Sequence, residues 1–371
     1  MATILVNHVT PKPTSVTGIN VYSACILEAL AKHGRHDYVL VTNWAQEKIP
    51  PALTRNGVQV VSRRTFANES LALAHSSVLL PYLARRFSAA LVFHPQPNAA
   101  LFAGRRDVVV IHDLYRVTHA GLYSRAQRLQ WDLALAPAFQ RAGNLIAVSA
   151  ATREALQACY PGIQARVTVV HEASPITPPA EPPPPPDGSR EPYALMVANL
   201  TPNKNFGLLI AALRRLAARG QRPRVCWAGR DDAGILPSLL SDAGDVRLER
   251  LGPVDDATLL RLYAHAHVYI NTSKVEGFCL PILEAHSFGR PVICSDVPVL
   301  REVAGDAAVF VNPDDAEGLA QALESLFADP VRHEELSRRA RANAARFSWE
   351  KAARETEAVF DRAMSTAPSH G

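Results

Sequence analysis

Cysteine is scarce and scattered. The five in this 371-residue chain, Cys25, Cys159, Cys226, Cys279 and Cys294, form no C-x-x-C pair. That indicates neither a disulfide scaffold nor a zinc knuckle, and a reducing cytoplasm is the expected setting. Long apolar runs are missing too. A spanning helix needs roughly 18 apolar residues, and the most apolar early segment, SSVLLPYLARRF, is interrupted by Pro81, Arg85 and Arg86. The opening residues MATILVNHV carry neither a basic start nor a long apolar stretch, so no secretory leader is expected. Lysine is rare as well, six residues against 33 arginines.

What is present is ordinary for a folded chain. Hydrophobic residues make up 48% and charged residues 20%, which excludes a disordered chain, a collagen and a coiled-coil rod. The length points to two domains. The net charge of +4 hides an asymmetry: residues 1–172 hold 17 Lys/Arg and 9 Asp/Glu, whereas residues 173–371 hold 22 and 26. The first part is therefore +8 and the second −4. A basic half fits an anionic partner such as a phospholipid surface, or equally a partner domain of opposite sign. No recognition motif or basic–aromatic stripe points to nucleic acid.

The sharpest break is SPITPPAEPPPPPDGSREP, Ser174 to Pro192. Proline removes backbone donors and stiffens the chain, so this stretch reads as a linker. The expected domains are 1–173 and 193–345, with 174–192 between them and a helix and tail at 346–371 whose packing partner periodicity leaves open. Strand candidates before the break are TILVN, YVLVT, ALVFH, VVVIHD, LIAVS and VTVVHE. After it come ALMVAN, RVCWAG, VRLERLG, VYINTS, PVICSD and AVFVN. Helical patterns separate them, with Gly34 and Gly220 as stops. Nearly continuous apolar strands alternating with helices predict parallel sheets covered on both faces, hence two doubly wound α/β domains. Ligands of such domains sit beyond the carboxyl ends of the strands, here in a cleft where the domains face.

The segment NTSKVEGFCLPILEAHSFG is the most informative. A strand ends in a loop with Glu276, Gly277 permits close backbone approach, and Pro281 suits a first helical turn. The amides of Phe278, Cys279 and Leu280 then form an anion site at a helix start. Glu284, one turn on, can accept two hydrogen bonds from a vicinal diol such as a ribose. In MVANLTPNKNFGLLIAAL a strand runs into a polar turn with Lys204, which can reach a pyrophosphate. Gly18 follows the first strand and opens the first helix. His112 and Asp113 close VVVIHD; His112 is the functional candidate and Asp113 the structural one. Ser149 is a cleft residue or a helix cap. Arg230 ends another strand, while Arg301 and Glu302 read as structural. His265 and His267 lack a third metal ligand.

The run EGFCLPILEA, with GRPVICSDVPVLREVAGDAAVFVNPDD after it, strongly resembles the signature of retaining glycosyltransferases of family 4, two-domain enzymes of the GT-B fold. The resemblance implies that Glu276 contacts the donor sugar, that Glu284 holds the nucleotide ribose, and that the amides of Gly277, Phe278, Cys279 and Leu280 meet the sugar and diphosphate. It implies a diphosphate role for Lys204, with Gly18 approaching the same phosphate and His112 near the sugar 6-hydroxyl. Arg230 would lie by the base or phosphates. Asn199 stands where relatives often carry arginine, so its role stays open. No Asp-x-Asp occurs, so neither a metal nor another cofactor is expected. The patterns TGINVYSACILEAL and IHDL look more like bacterial mannosyltransferases using GDP-mannose than UDP-sugar enzymes. A glycan or lipid-linked acceptor in polysaccharide assembly follows. Segment Asn68–Ala89, apolar with a basic end, is a candidate contact with the inner membrane surface. A sugar-nucleotide epimerase and a non-catalytic sugar-nucleotide-binding protein are the rival readings.

Overall fold

A computed structural model of the chain describes residues 1–9, 17–62, 69–97, 103–118, 136–181, 183–185, 191–232, 234–241 and 244–365, with single positions at 121, 125, 129 and 188. These residues divide into two compact units. One is Met1–Glu172 with the segment from Ser348 onward, and the other is Ala173–Phe347.

The first unit is built on a parallel sheet of seven strands: β1 Thr3–His8, β2 Asp37–Thr42, β3 Gln59–Ser62, β4 Leu91–His94, β5 Asp107–Ile111, β6 Asn144–Ala147 and β7 Val167–Val169. Their order is β3-β2-β1-β4-β5-β6-β7. The second unit has six parallel strands: β8 Tyr193–Val197, β9 Arg224–Ala228, β10 Leu248–Gly252, β11 Val268–Asn271, β12 Val292–Ser295 and β13 Ala308–Val311, in the order β10-β9-β8-β11-β12-β13. Both sheets reverse direction beside their first strand, between β1 and β4 and between β8 and β11. That is where a doubly wound sheet opens a crevice at its carboxyl edge.

The strand interiors are dry, as parallel strands covered on both faces must be. Ile4, Leu5, Val6, Val108, Val109 and Val110 are fully buried in the first unit, and Ala194, Leu195, Val268 and Ile270 in the second. Each such Val, Leu or Ile side chain contributes about 1.5–3 kcal/mol. Trp227 on β9 is buried against Phe206, ring centroids 5.1 Å apart, and its indole N–H donates to the Ala198 carbonyl at 2.8 Å. The strand-end loop after β8 is thus anchored to its neighbour.

Twelve of the thirteen strands fall on the predicted runs. The exception is β3, a four-residue edge strand whose sequence QVVS is too short and too polar to stand out. The two stop glycines act differently. Gly220 is left-handed, at φ +78°. Gly34 is extended, and a Cβ there would lie 2.7 Å from Glu357 Oε1 and 2.7 Å from the Tyr38 hydroxyl.

Those two neighbours belong to a latch. The helix Trp349–Ser365, capped by Ser348 Oγ accepting from the Lys351 amide at 3.1 Å, packs in the first unit. Its buried Glu357 accepts from the Tyr38 hydroxyl at 2.8 Å and from the Arg35 amide at 2.5 Å. Phe360 meets Phe93, and Trp349 meets Tyr22. The proline-rich segment belongs to the second unit and adds no strand or helix among its described residues. His265 Nε2 donates to the Pro183 carbonyl at 2.5 Å and tethers it.

Candidate active site

At the carboxyl edge of the second sheet, two loops far apart in sequence are joined. Lys204 follows β8 in the turn Pro202–Lys204, and Glu276 follows β11. Lys204 Nζ donates to Glu276 Oε1 at 2.5 Å, and the Ser273 hydroxyl donates to the same oxygen at 2.6 Å. The pair is well sheltered, with 23% of the lysine side chain and 8% of the glutamate exposed. The backbone fastens the loops independently: Thr272 Oγ1 donates to the Lys204 carbonyl at 2.7 Å, and the Lys274 amide to the Asn203 carbonyl at 2.8 Å. Asn205 then turns left-handed at φ +49°, a conformation asparagine tolerates better than most residues. Its Nδ2 donates to the Pro313 carbonyl at 2.7 Å, and the helix Phe206–Ala218 begins.

The helix Leu280–Ser287 starts just beyond Glu276, with Pro281 in its first turn. Its cap, Cys279, is left-handed at φ +82°, although it is not glycine. Such a conformation costs roughly 1–2 kcal/mol in a residue with a Cβ. Asn271 braces it: Nδ2 lies 3.1 Å from Cys279 Sγ, while Oδ1 accepts from the Ser273 amide at 3.0 Å. Burial pushes the thiol far up, so it stays protonated. Phe278 is buried and meets Phe347 edge to face. The first turn of this helix presents the amide edge that favours an anion.

Glu284 lies within that helix and is buried, 8% exposed. Its Oε2 accepts from the Tyr263 hydroxyl at 2.5 Å. Burial pushes the carboxyl up to about 7, the Tyr263 bond works against that rise, and the Asp256 charge adds to it. Asn199 and Arg230 meet through the backbone: Asn199 Oδ1 accepts from the Arg230 amide at 3.1 Å, fastening the ends of β8 and β9 together. The Arg230 guanidinium lies 3.4 Å from Asp232.

The first unit is finished mainly with imidazole and amide groups. His8 ends β1, and its Nε2 accepts from Gln96 Nε2 at 2.9 Å. The same amide donates to Asn20 Oδ1 at 2.8 Å, on the helix Gly18–His33. Burial pulls His8 down to about 3, so it is uncharged. His112, just past β5, is 6% exposed. Its Nε2 donates to the Pro95 carbonyl at 2.9 Å, and its Nδ1 faces Glu172 Oε1 at 3.3 Å. The Tyr22 ring stands edge-on to it, centroids 4.7 Å apart. Gly18 is exposed at the start of its helix, and the loop at residues 10–16 before it lies outside the described residues.

A family model described as Glycosyltransferase Family 4 matches residues 16–173, and one described as Glycosyl transferases group 1 matches residues 180–346. The chain belongs to glycosyltransferase family 4. O-antigen chain mannosyltransferase B of Escherichia coli is 37% identical over 169 residues, 44% of each chain. A phosphatidyl-myo-inositol mannosyltransferase of Mycolicibacterium smegmatis is 33% identical over 164 residues, 43% of this chain and 42% of that one. The aligned stretches span less than half of these relatives. The crystal structure of Anabaena HepE in complex with UDP-glucose matches with a TM-score of 0.73 at 18% identity, over 99% of this chain and 100% of that one. That likeness establishes the fold as GT-B, with two Rossmann-like units.

Within this family 4 chain, the second unit brings together Lys204, Glu276 and the Gly277–Leu280 loop, while Asn199 with Arg230, and Glu284 with Tyr263, form their own contacts. Gly18 and His112 belong to the other unit. Ser149 caps its helix, its Oγ accepting from the Thr152 amide at 3.0 Å, and Asp113 takes the Tyr115 amide at 3.2 Å. His267 bonds the Leu326 carbonyl and stacks on His333. Among the described residues no group of three or more His, Cys, Asp or Glu is placed to hold a metal. Sequence reasoning missed Ser273, Tyr263 and Glu172. Ser273 had a signal, a hydroxyl three residues before Glu276 at a strand end. Tyr263 had none, because RLYAH reads as an ordinary apolar helix face.

Proposed function

We propose that the chain transfers a hexosyl group from a nucleoside diphosphate sugar to a hydroxyl of a glycan or lipid-linked acceptor, with retention of anomeric configuration. We infer mannose from GDP-mannose as the donor. The observation that carries this reading is the Lys204–Glu276 pair beside the start of the Leu280–Ser287 helix. It sets a cation, a carboxylate and main-chain donors at one sheet edge. The two mannosyltransferase relatives support the sugar, and HepE, which holds UDP-glucose, supports the donor class.

In this reading the anomeric C–O bond breaks with its electron pair passing to the diphosphate. Lys204 and the helix amides stabilise that growing charge. The acceptor oxygen bonds the anomeric carbon on the same face, and its proton passes to the leaving phosphate. Glu276 holds the sugar hydroxyls, Glu284 the ribose, and His112 and Gly18 act from the first unit. No metal or cofactor enters this scheme. The exposed Val78 and Tyr82 on the helix Glu69–Arg86, with Arg85 and Arg86 at its end, suit a peripheral contact with anionic lipid at the cytoplasmic face of the membrane. Cosedimentation with anionic vesicles but not neutral ones tests that contact.

The reaction is tested with a panel of GDP- and UDP-sugars, with and without a lipid-linked acceptor. Transfer from GDP-mannose is the expected result. Turnover without acceptor that inverts a sugar centre would indicate an epimerase, and binding without turnover a non-catalytic protein. Glu276→Ala should abolish transfer while largely keeping nucleotide affinity; equal activity in that variant contradicts the assigned role.

A further inference from the structure

Tyr263 and Glu284 sit on different helices, Asp256–His265 and Leu280–Ser287, and meet only through their side chains. The tyrosine ring has little freedom. It is fully buried, stacked on Phe288 with centroids 6.0 Å apart and planes 14° from parallel, and tilted against Tyr269 at 6.0 Å. A hydroxyl carried on so rigid a ring reaches one place, Glu284 Oε2. The Tyr263 hydroxyl, 2.5 Å from that oxygen, donates to it and so favours the ionised carboxylate.

A carboxylate that grips a ribose must offer two acceptor oxygens at once, because both hydroxyls of the diol donate. Protonation turns one of those oxygens into a donor and ends the match. We propose that Tyr263 is a positioning residue of the nucleoside site, its hydroxyl fixing the Glu284 carboxylate in the orientation and ionised state that a ribose diol requires. This inference rests on Glu284 being the ribose ligand.

The surroundings make the bond consequential. Burial alone drives Glu284 towards protonation near neutral pH, and Asp256, on the Tyr263 helix, pushes the same way. Tyr263 opposes both. Tyr269 on β11 and Cys279 at the helix start adjoin the pair, but burial drives each far above its ordinary range, so both remain neutral. Glu284 is thus the group there that changes charge near pH 7. Its sign is definite: the carboxyl protonates as pH falls, so nucleotide affinity falls with it.

The test is calorimetric titration of GDP and UDP, and of the 2′-deoxy form of whichever binds, between pH 5.5 and 9. The proteins are the full chain, Tyr263→Phe and Glu284→Gln. Phenylalanine keeps the ring and its packing. In the wild type, affinity should decline as pH drops through about 7. In Tyr263→Phe the midpoint should move up by about one pH unit, giving roughly 5-fold weaker binding at pH 7 and near-normal binding at pH 9. With the 2′-deoxy nucleotide the gap between the two proteins should close. Glu284→Gln should bind weakly at every pH. An unshifted midpoint in Tyr263→Phe, with affinity lost in Glu284→Gln, overturns the role of Tyr263 alone. Wild-type affinity in Glu284→Gln overturns the ribose reading beneath it.

Discussion

The carboxyl edges of the two sheets are finished with opposite chemistry. In the second unit a lysine and a glutamate from loops 72 residues apart share a proton-rich contact with Ser273. In the first, imidazoles and amides satisfy one another, with His8 held neutral by burial and Gln96 donating to it and to Asn20. The lysine of that sheltered pair keeps some exposure, so an entering anion can give it a second partner while the backbone bonds keep the loops in place. A buried neutral network is costly to open, because each group left behind loses its hydrogen bond without regaining water. The second edge is therefore suited to gripping a charged ligand, and the first to holding a shape.

The contrast can be broken most strongly at Lys204. Lys204→Ala removes the charge proposed to meet the diphosphate, and kcat should fall by about 10²-fold or more. The fold should survive, because Thr272 and Asn203 still pin the loop through the backbone. Steady-state rates with a matched unfolding curve check this; an unchanged rate would leave the charged edge without a catalytic purpose. A smaller effect, of another kind, is expected in the first unit. Gln96→Ala strips His8 and Asn20 of their shared donor and should cost about 1–3 kcal/mol in stability, with nucleotide affinity unchanged. Denaturant unfolding and calorimetry on the same sample would separate the two, and weakened nucleotide binding would erase the distinction between the edges. Smallest of all is Cys279→Gly. Glycine relieves the left-handed backbone, worth about 1–2 kcal/mol, but forfeits a buried side chain and gains freedom in the unfolded chain. The net change in thermal stability should stay within about 1 kcal/mol.

How much of this was visible beforehand follows the same divide. Glu276, Gly277, Phe278, Cys279, Leu280 and Glu284 lie within nine consecutive residues, so the geometry of one loop and one helix start could be read directly. Lys204 was legible for a different reason, as a rare residue type at a strand-to-helix junction. The contact between Lys204 and Glu276 was not legible, since pairing two strand ends needs the strand order β8 beside β11. The first unit's network was still less accessible. His8 with Gln96, and His112 with Glu172, join residues 88 and 60 positions apart, and no local pattern marks an amide as the partner of a distant imidazole. Gly34 shows a subtler miss. The helix stop was evident, but not the crowding that makes it glycine: the Leu30 carbonyl of its own helix leaves no room for a Cβ, and the distant Glu357 carboxylate and the Tyr38 hydroxyl press on the same spot.

That far end has its own bearing on how the protein comes into being. The helix Trp349–Ser365 supplies buried Ala352, Ala353, Val359 and Phe360 to the first unit, and Glu357 to its latch. During synthesis the whole of Ala173–Phe347 is made before that helix exists. The half that emerges first is thus the last to be completed, and until then the surface around Phe93 and Tyr38 waits uncovered for a piece still being translated.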